Sequence, residues 1–353
     1  MDNILFYKDK PIFGLDVGFS SLKVMQIQPG NANKRLVTGY GVNTFEEGAI
    51  VDGVLVKPEV LAKSTHDLFT KNLIGEITTR RVAMSIPASR TFNRLITLPK
   101  SASSNIDETI RLEAEQYVPM ALDDLYLDHT VINSTDNKIE VLSVAAPKKI
   151  IDSYLTLANL LGLEVAAIET TISSAGRIFV QSEQSDVPTV LIDLGSLSSD
   201  ITIYDDGLVV TGTVPGGGDS FSNLIADKLG VTKQEAHIIK TKYGLGLSKK
   251  QKEITDGLSP ILNQLVREIK RMIRYYEERT STKQKIAQVV TMGGGANMPG
   301  LAEYMTNQLR LPVRMSDPWQ HLSFNNMQPP NSIEKTMYVT VAGLSLIQPK
   351  DAL

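Results

Sequence analysis

The segment FGLDVGFSSLKV (residues 13–24) decides the fold, because its plan recurs in the second half of the chain as VLIDLGSLSSD (residues 190–200). In each copy an apolar strand ends in Asp-x-Gly, a short polar turn follows, and a second strand leaves the turn. Two apolar runs joined by a short glycine-containing turn are typical of a β-hairpin. The sequence therefore predicts two hairpins of one design, one in each half of the chain.

The turn of each predicted hairpin carries groups that suit an anion. Glycine allows backbone N–H groups to turn toward a bound anion, and hydroxyl and ammonium groups add further donors. The donors are Gly18, Ser20, Ser21 and Lys23 in the first copy and Gly195, Ser198 and Ser199 in the second. One Asp-x-Gly turn alone fits ordinary hairpin chemistry equally well, so it is the matched pair that favours a phosphate site.

Asp16 and Asp193 end the first strand of the two hairpins. A carboxylate in this position would repel a polyphosphate unless a hard divalent cation lay between them. Mg²⁺ typically keeps several waters and takes one or two carboxylates. Together the two hairpins predict binding of a nucleotide triphosphate with Mg²⁺.

Composition narrows the class of protein. The chain has 353 residues, of which 42% are hydrophobic, so it can bury a core large enough for two lobes. A net charge of -3 gives no electrostatic reason to expect nucleic acid, and the absence of cysteine excludes disulfides and thiolate metal sites. No signal pattern or membrane-spanning apolar run is found. We therefore expect a cytoplasmic protein without direct membrane insertion.

The order of predicted elements indicates two α/β lobes. The first lobe is predicted over residues 1–184, with an inserted β-α-β-β-α subdomain at 88–165 and a closing helix at 333–350. The second is predicted over 185–332, with a helical subdomain at about 219–285. Finer predictions are one helix over 57–73, helix caps at 101–105, a final edge strand at 312–314, and a loop at 317–332.

Two further glycine segments precede predicted helices. A glycine run before a helix is a candidate anion site, and three glycines after a strand let the backbone lie against a flat ligand such as adenine. Each segment taken singly is also consistent with an ordinary loop. The residues are Gly216, Gly217 and Gly218 in the first segment, and Gly293, Gly294, Gly295 and Ala296 in the second.

The order of these motifs resembles the actin-like ATPase superfamily over nearly the whole chain. The resemblance implies ATP and Mg²⁺ as ligands, with Asp16 and Asp193 on the metal side and residues 293–296 at the adenosine. It also implies two phosphate loops, formed by Phe19, Ser20, Ser21 and Lys23 and by Gly195, Ser196 and Ser198. Glu169 falls where the superfamily has a residue that positions the attacking water, although an acid at a helix N-terminus explains it equally well.

The details are most similar to the PilM family of type IV pilus and competence systems, with FtsA as the nearest relation. The specific motifs are GLDVGFSSLK (residues 14–23), FNRLITLP (92–99) and RLEAEQYVP (111–119), joined by Glu235 with Lys240 and by MGGGA (292–296). Glu235 and Lys240 are thereby implied near the nucleotide. His237 departs from the family's acidic residue, which weakens a ribose contact by this helix.

The PilM resemblance implies an adaptor that binds ATP and hydrolyses it slowly at most. Its expected partner is the N-terminal cytoplasmic peptide of a PilN-like inner-membrane protein, bound between the insertion and the main body. Other pilus components and self-association are further implied partners, and the location is the inner face of the cell membrane. Two alternatives stay open: an FtsA-like filament-forming divisome protein, and an actin-fold ATPase or phosphotransferase.

Overall fold

The computed structural model describes residues 10–29, 34–182, 186–279, 284–331 and 334–348. The chain divides into two compact units. Unit 1 comprises the residues up to Ile27, then Thr38–Thr171 and the residues from Ile347 onward, and unit 2 comprises Gln28–Val37 and Ile172–Leu346. The lobe boundaries given above stay predictions.

Unit 1 is built on a mixed sheet with a smaller sheet beside it. Its helices are α1 (Pro58–Asp67), α2 (Ile106–Tyr117) and α3 (Lys148–Leu160). Its strands are β1 (Phe13–Val17), β2 (Ser21–Gln28), β3 (Arg35–Thr44), β4 (Ile50–Val51), β5 (Val54–Leu55), β6 (Leu73–Gly75), β7 (Arg81–Ile86), β8 (Phe92–Pro99), β9 (Leu125–Ser134), β10 (Lys138–Pro147) and β11 (Glu164–Thr170). Gln28 and the first three residues of β3 belong to unit 2.

The main sheet of unit 1 has the order β11-β7-β1-β2-β3, with β6 added beside β3. β1 pairs antiparallel with β2 and parallel with β7, and β7 pairs parallel with β11. Every residue of β1 and β7 is buried, as expected of central strands covered on both faces. α3 packs on this sheet through Ile150, Tyr154 and Leu157, which recur at helical spacing.

The predicted insertion contains a separate three-stranded antiparallel sheet of order β8-β10-β9. α2 covers one face of this sheet, where Ile110 packs with Ile96, Leu98, Ile139 and Val141. The second helix of the predicted block, α3, contributes to the larger core of unit 1 instead. The separate sheet with its helix therefore spans residues 92–147.

Unit 2 repeats the strand order of unit 1. Its strands are β12 (Thr189–Leu194), β13 (Ser198–Tyr204), β14 (Leu208–Pro215), β15 (Gln288–Met292), β16 (Val313–Met315) and β17 (Leu322–Ser323). The first five form a sheet of order β14-β13-β12-β15-β16, in which β12, β15 and β16 are parallel and β12, β13 and β14 antiparallel. The two predicted hairpins, β1–β2 and β12–β13, thus occupy equivalent places in two sheets of one plan.

The remaining helices are α4 (Thr171–Ser182), α5 (Gly218–Leu229), α6 (Lys233–Lys242), α7 (Gln251–Arg279), α8 (Leu301–Leu309) and α9 (Val339–Leu344). α7 supplies one apolar stripe to the core of unit 2, at Ile254, Leu258, Leu262, Leu265, Ile269, Met272 and Tyr276. Pro260 lies inside α7 and cannot donate to the carbonyl of Asp256. The Ser259 hydroxyl donates to that carbonyl at 2.9 Å and so replaces the hydrogen bond that the proline cannot make.

Four local predictions differ from the structure. The helix predicted over 57–73 ends at Asp67 and continues as one π-helical turn, Leu68–Asn72, before β6. Residues 101–105 lie in a 3-10 turn, Lys100–Asn105, and the N-cap residue of α2, Asn105, makes no capping hydrogen bond with its side chain. The segment 317–332 contains β17, so β16 is not the last strand; β17 pairs with the first two residues of β3, a contact that local sequence does not reveal. The closing helix begins as a 3-10 turn, Lys335–Tyr338.

A further fact concerns membranes. No helix in the described parts of the chain combines the length and the apolar character needed to cross a bilayer. The longest of them, α7, carries charged residues along most of its length.

Candidate functional site

The first hairpin holds a buried carboxylate between two donors. The ammonium of Lys23 lies 3.2 Å from Oδ2 of Asp16, and the hydroxyl of Ser85 donates to Oδ1 at 2.9 Å. Asp16 faces Lys23 across the β1–β2 ladder and faces Ser85 across β1–β7, so the sheet register itself creates these contacts. The side chains of Asp16 and Lys23 are only 10% and 8% exposed. This arrangement keeps a carboxylate and a cation together at the start of the predicted phosphate loop.

The turn of this hairpin closes on itself through its backbone. Gly18 N–H donates to the carbonyl of Ser21 at 3.0 Å. A Cβ at Gly18 would lie 3.2 Å from the same carbonyl, so the tight turn favours glycine. Ser20 is exposed and Phe19 half-buried, which leaves this predicted loop accessible to a ligand.

Glu169 lies in the same row of the sheet as Asp16. Asp16 is in register with Ser85, and Ser85 is in register with Glu169 near the carboxyl end of β11. Because neighbouring strands lie about 4.8 Å apart, the Cα atoms of Asp16 and Glu169 are separated by about 10 Å. The parallel register thus brings the predicted water-positioning residue to the end of unit 1 that carries the first hairpin.

Tyr154 of α3 also belongs to this region. Its side chain is fully buried, and among the described residues its hydroxyl has no hydrogen-bond partner. Burial, and secondarily the negative charge of Asp16, raises the pKa of Tyr154 well above its usual value. Tyr154 is therefore a buried side chain within electrostatic reach of the Asp16 carboxylate.

The second hairpin has the same strand register as the first, but an aspartate takes the position of the lysine. Asp193 of β12 is in register with Asp200 of β13, in the way that Asp16 is in register with Lys23. Asp200 is buried and accepts a hydrogen bond of 2.6 Å from the hydroxyl of Thr213. Burial raises the pKa of Asp200 to about 6, and the Thr213 bond opposes that rise. Two aspartates thus occupy the facing positions at which the first hairpin has an ion pair.

The glycine run after β14 packs directly on the second hairpin. The N–H groups of Gly216, Gly218 and Asp219 donate at 2.9 Å to the carbonyls of Leu197, Gly195 and Ser196 respectively. A Cβ at Gly217 would lie 2.3 Å from the Gly195 carbonyl oxygen, so only glycine permits this approach. Ser198 pairs with Pro215, at the end of β14. The run therefore fixes the hairpin turn, and the N–H groups of Gly216, Gly218 and the following Asp219 are already occupied.

The two predicted residues of α6 have different surroundings. The buried ammonium of Lys240 donates to the carbonyl of Gly218 at 2.7 Å, and burial lowers the pKa of this lysine. Glu235 is exposed, and its carboxylate accepts hydrogen bonds from the N–H and hydroxyl of Thr232. Thr232 and Glu235 form a capping box at the start of α6. Lys240 thus supports the glycine run, while Glu235 stabilises its own helix.

The last predicted loop also converges on the second hairpin. Gly293 has φ +80°, and a Cβ there would lie 2.2 Å from Oδ1 of Asp193. A Cβ at Gly295 would lie 2.9 Å from Cβ of Leu194. Gly294 has space around it, since its nearest neighbour would be Met337 at 3.7 Å, and the adjoining Ala296 is buried. Hairpin, glycine run, Lys240 and loop 293–296 therefore form one continuous group in unit 2.

The structure adds three residues to the candidate site that were not predicted from the sequence. Ser85 and Tyr154 carry no motif, and only the register of β1 with β7 and the packing of α3 reveal them. Asp200 had a signal in the sequence, because it follows Asp193 at the same seven-residue spacing as Lys23 follows Asp16. That spacing marks the residue that faces the aspartate across the hairpin.

Comparison with known proteins identifies a family and distant relatives. A family model described as type IV pilus assembly protein PilM matches residues 14–348. Among curated proteins, cell division protein FtsA of Borreliella burgdorferi is 23% identical over 87% of this chain and 84% of its own length. FtsA of Bacillus subtilis is 23% identical over 51% of this chain, and the match spans only 45% of that protein.

Solved structures share the fold across nearly the whole chain. A PilM-PilN type IV pilus biogenesis complex matches with a TM-score of 0.81 and 20% identity, over 96% of this chain and 98% of that one. MreB5 of Spiroplasma citri bound to AMPPNP matches with a TM-score of 0.54 and 12% identity, each chain being covered to 95%. The predicted actin-like ATPase fold is confirmed.

Proposed function

The chain belongs to the type IV pilus assembly protein PilM family, and from that premise we propose that it is an ATP-binding adaptor for a PilN-like inner-membrane protein. The observation that carries the nucleotide part is the convergence of the predicted residues within each unit: Asp16, Lys23 and Ser85 in the first, and three glycine-containing segments around Asp193 in the second. Solved relatives of the same fold include one bound to AMPPNP.

The hairpin residues fit Mg²⁺ only when phosphate is present. No group of three or more histidine, aspartate or glutamate side chains suitable for a metal occurs among the residues that the structure describes. Mg²⁺ is commonly held by one or two carboxylates together with substrate phosphates and water. Asp16 and Asp193 are the residues proposed to act on the metal side, and the metal would neutralise phosphate charge there.

We propose that the ammonium of Lys23 binds the phosphate groups of the nucleotide. Its ammonium is held by Asp16 and lies beside the turn, since a Cβ at Gly18 would be 3.8 Å from Nζ. A lysine that is already positioned loses little side-chain entropy when it binds an anion. Phe19, Ser20 and Ser21 supply the remaining donors in this proposal, and Gly18, whose N–H bonds to the Ser21 carbonyl, allows the tight turn.

The separate sheet of unit 1 offers edges for a partner peptide. Neither outer edge of the β8-β10-β9 sheet pairs with another strand of the described chain. β9 also exposes apolar side chains at Tyr126, Val131 and Ile132. An extended peptide can add to such an edge, with backbone hydrogen bonds for affinity and side-chain contacts for specificity. We place the PilN-like N-terminal segment at this sheet.

Two arguments favour an adaptor over the alternatives. The FtsA relatives are distant in sequence, whereas the PilM family model spans nearly the whole chain. A phosphotransferase needs an aspartate poised to accept a proton from a substrate hydroxyl. Asp16 is instead proposed for the metal side and bonds to Lys23 and Ser85, and the Asp200 carboxylate accepts a bond from Thr213.

The proposal is tested by calorimetry on the full chain. Mg·ATP is titrated first, and a synthetic peptide with the N-terminal sequence of the PilN-like protein is titrated into the same cell. Nucleotide binding followed by peptide binding, with little phosphate release, supports the adaptor. Nucleotide binding without peptide binding, but with steady phosphate release, would favour an enzyme instead.

The adenosine part of the proposal has its own test. Gly294→Val places a branched side chain in the loop proposed to lie against adenine, where the protein itself leaves room. We expect the variant to fold normally and to lose at least tenfold in ATP affinity. Inorganic triphosphate with Mg²⁺, which has no base, should bind both proteins equally. ATP affinity equal to that of the unmodified protein would show that the loop is only structural.

A further inference from the structure

A groove on unit 2 lies between the C-terminal half of α7 and the end of α8. It has a volume of about 700 Å³, and its walls carry five lysine or arginine side chains and two glutamates. The chain as a whole has a net charge of -3. A net positive groove on an acidic protein is a local concentration of charge that composition does not explain.

The cations on α7 form one row. Arg267, Lys270 and Arg274 are exposed and are separated by three and four residues, so they lie on one face of the helix. Lys285 faces the groove from the segment before β15. Arg271 is paired with Glu268, but no described carboxylate forms a salt bridge with Arg267, Lys270, Arg274 or Lys285. These four charges are available to a partner.

Helix stability alone does not account for the row. Cations favour the C-terminal end of a helix, but that effect fades within the last turn. α7 ends at Arg279, so Arg267 and Lys270 lie too far from that end to benefit. Pairing with acids one turn away is also absent for these residues, although Arg271 and Glu268 show that α7 uses it elsewhere.

The floor of the groove is apolar and recessed. It contains Ile286 and Leu309, which are 5% and 9% exposed, beside the partly buried Ile273 and Leu311. A flat bilayer surface would touch the basic rim without reaching this floor. A helix with apolar side chains on one face and carboxylates beside them would fill the floor and pair with the rim.

We propose that this groove is a docking site for an acidic amphipathic helix of a partner protein. Apolar anchors at helical spacing enter the floor, and flanking carboxylates pair with the row of Arg267, Lys270 and Arg274. The site is distinct from both hairpins and from the β8-β10-β9 sheet, so it adds a second protein partner to the proposed adaptor. A heterologous contact with a second copy would propagate into rings or open polymers, which an adaptor does not require.

The test uses the full chain and a defined probe. A fluorescein-labelled 18-residue helical peptide, with leucine on one face and glutamate beside it, is titrated by anisotropy against the protein. A matched peptide has glutamine at each glutamate. The groove variant is Arg267→Glu with Arg274→Glu, and the control variant is Lys249→Glu with Lys252→Glu, which makes the same charge change at exposed positions near the other end of α7.

We expect the groove variant to bind the acidic peptide at least tenfold more weakly, and the control variant to stay within twofold of the unmodified protein. The glutamine peptide should bind the unmodified protein at least tenfold more weakly, and affinity should fall with added salt. Thermal unfolding and Mg·ATP affinity should be unchanged in both variants, so failure here is separable from failure of the nucleotide proposal.

Other outcomes overturn the proposal. Equal losses in the two variants would show that only net charge matters. Sedimentation with vesicles containing anionic lipid, abolished in the groove variant while peptide binding persists, would assign the row to a membrane. Concentration-dependent self-association that the groove variant alone abolishes would assign the groove to a second copy of this chain.

Discussion

At the scale of single residues, the two hairpins differ at one decisive position. Asp16 faces Lys23 across the first hairpin, whereas Asp193 faces Asp200 across the second. An ion pair of this kind is held by its own charges, but two neighbouring carboxylates repel each other unless a proton or a cation separates them. The duplicated scaffold thus gives one hairpin with a charge-neutral ion pair and one with two carboxyl groups at the equivalent positions.

The role of Asp16 is tested by Asp16→Asn. Asparagine keeps the shape and an acceptor for Ser85, but like alanine it removes the negative charge beside the buried Lys23, and breaking such a pair costs about 3 to 5 kcal/mol of stability. We expect Asp16→Asn to weaken Mg·ATP binding at least tenfold in calorimetry. Asp124→Asn, at an exposed position of the same unit, is the control. If affinity stays unchanged in Asp16→Asn, this carboxylate has no part in metal or nucleotide binding.

Asp200 predicts a pH dependence of stability. Burial raises its pKa from 3.8 to about 6, so the folded state binds the proton more tightly than the unfolded state. The free energy of unfolding should therefore fall as the pH rises from about 4 to about 6, by roughly 3 kcal/mol, and this term should be constant above that range.

The measurement compares the unmodified protein with Asp200→Asn by urea unfolding between pH 4 and pH 7. Asparagine can still accept the bond from Thr213 and carries no charge at any of these values. The variant should match the unmodified protein near pH 4 and be more stable at pH 7. A stability difference that is constant across this range would refute the assigned pKa.

At the scale of elements, backbone contacts between the glycine run and the second hairpin fix the turn of that hairpin. Gly217 at the start of α5 lies against Gly195 and Ser196. The ammonium of Lys240 in α6 donates a hydrogen bond to the carbonyl of the next residue, Gly218. The glycine run was predicted as an anion site. In the structure the N–H groups of two of its glycines and of the following Asp219 donate to carbonyls of the hairpin turn, so its main visible role is to position the turn between β12 and β13.

This role is tested by comparing two glycine substitutions. Gly217→Ala has no positive φ but places Cβ 2.3 Å from a backbone oxygen, whereas Gly230→Ala has φ +65° and open space. Overpacking should cost Gly217→Ala about 1 to 3 kcal/mol and at least tenfold in Mg·ATP affinity. Strain should cost Gly230→Ala about 1 to 2 kcal/mol without affecting the nucleotide. Equal affinities in the two variants would show that the position of the turn is unimportant for binding.

At the scale of the whole molecule, two sheets of one strand order account for the repeated hairpins. β3-β2-β1-β7-β11 and β14-β13-β12-β15-β16 have the same sequence of connections. The fold is shared by proteins of several functions, so it does not by itself separate an adaptor from a filament protein. Assembly behaviour does separate them.

The prediction at this scale concerns polymers. In high-speed sedimentation with Mg·ATP at micromolar protein, we expect the chain to remain in the supernatant, as it should without nucleotide. A bundled actin-like filament protein prepared in parallel shows that polymers pellet under the same conditions. Long ATP-dependent polymers of this chain would refute the adaptor and favour the FtsA-like alternative.

The sequence by itself determined the features that depend on neighbouring residues. Both hairpins, the helix starts after glycine and the family were predictable, because Asp-x-Gly turns, apolar alternation and short motifs are local. The seven-residue spacing to Lys23 and Asp200 is local as well, since it counts residues across a single turn.

Only the tertiary structure decided which distant residues meet. The row of Asp16, Ser85 and Glu169 depends on the register of parallel strands that are joined by long crossovers, and no local pattern specifies such a register. The same holds for the pairing of β17 with β3, for the buried Tyr154 hydroxyl near Asp16, and for the groove between α7 and α8. In each case the contact is fixed by how whole elements pack, which depends on the combined burial of many side chains and not on the few residues that the contact joins.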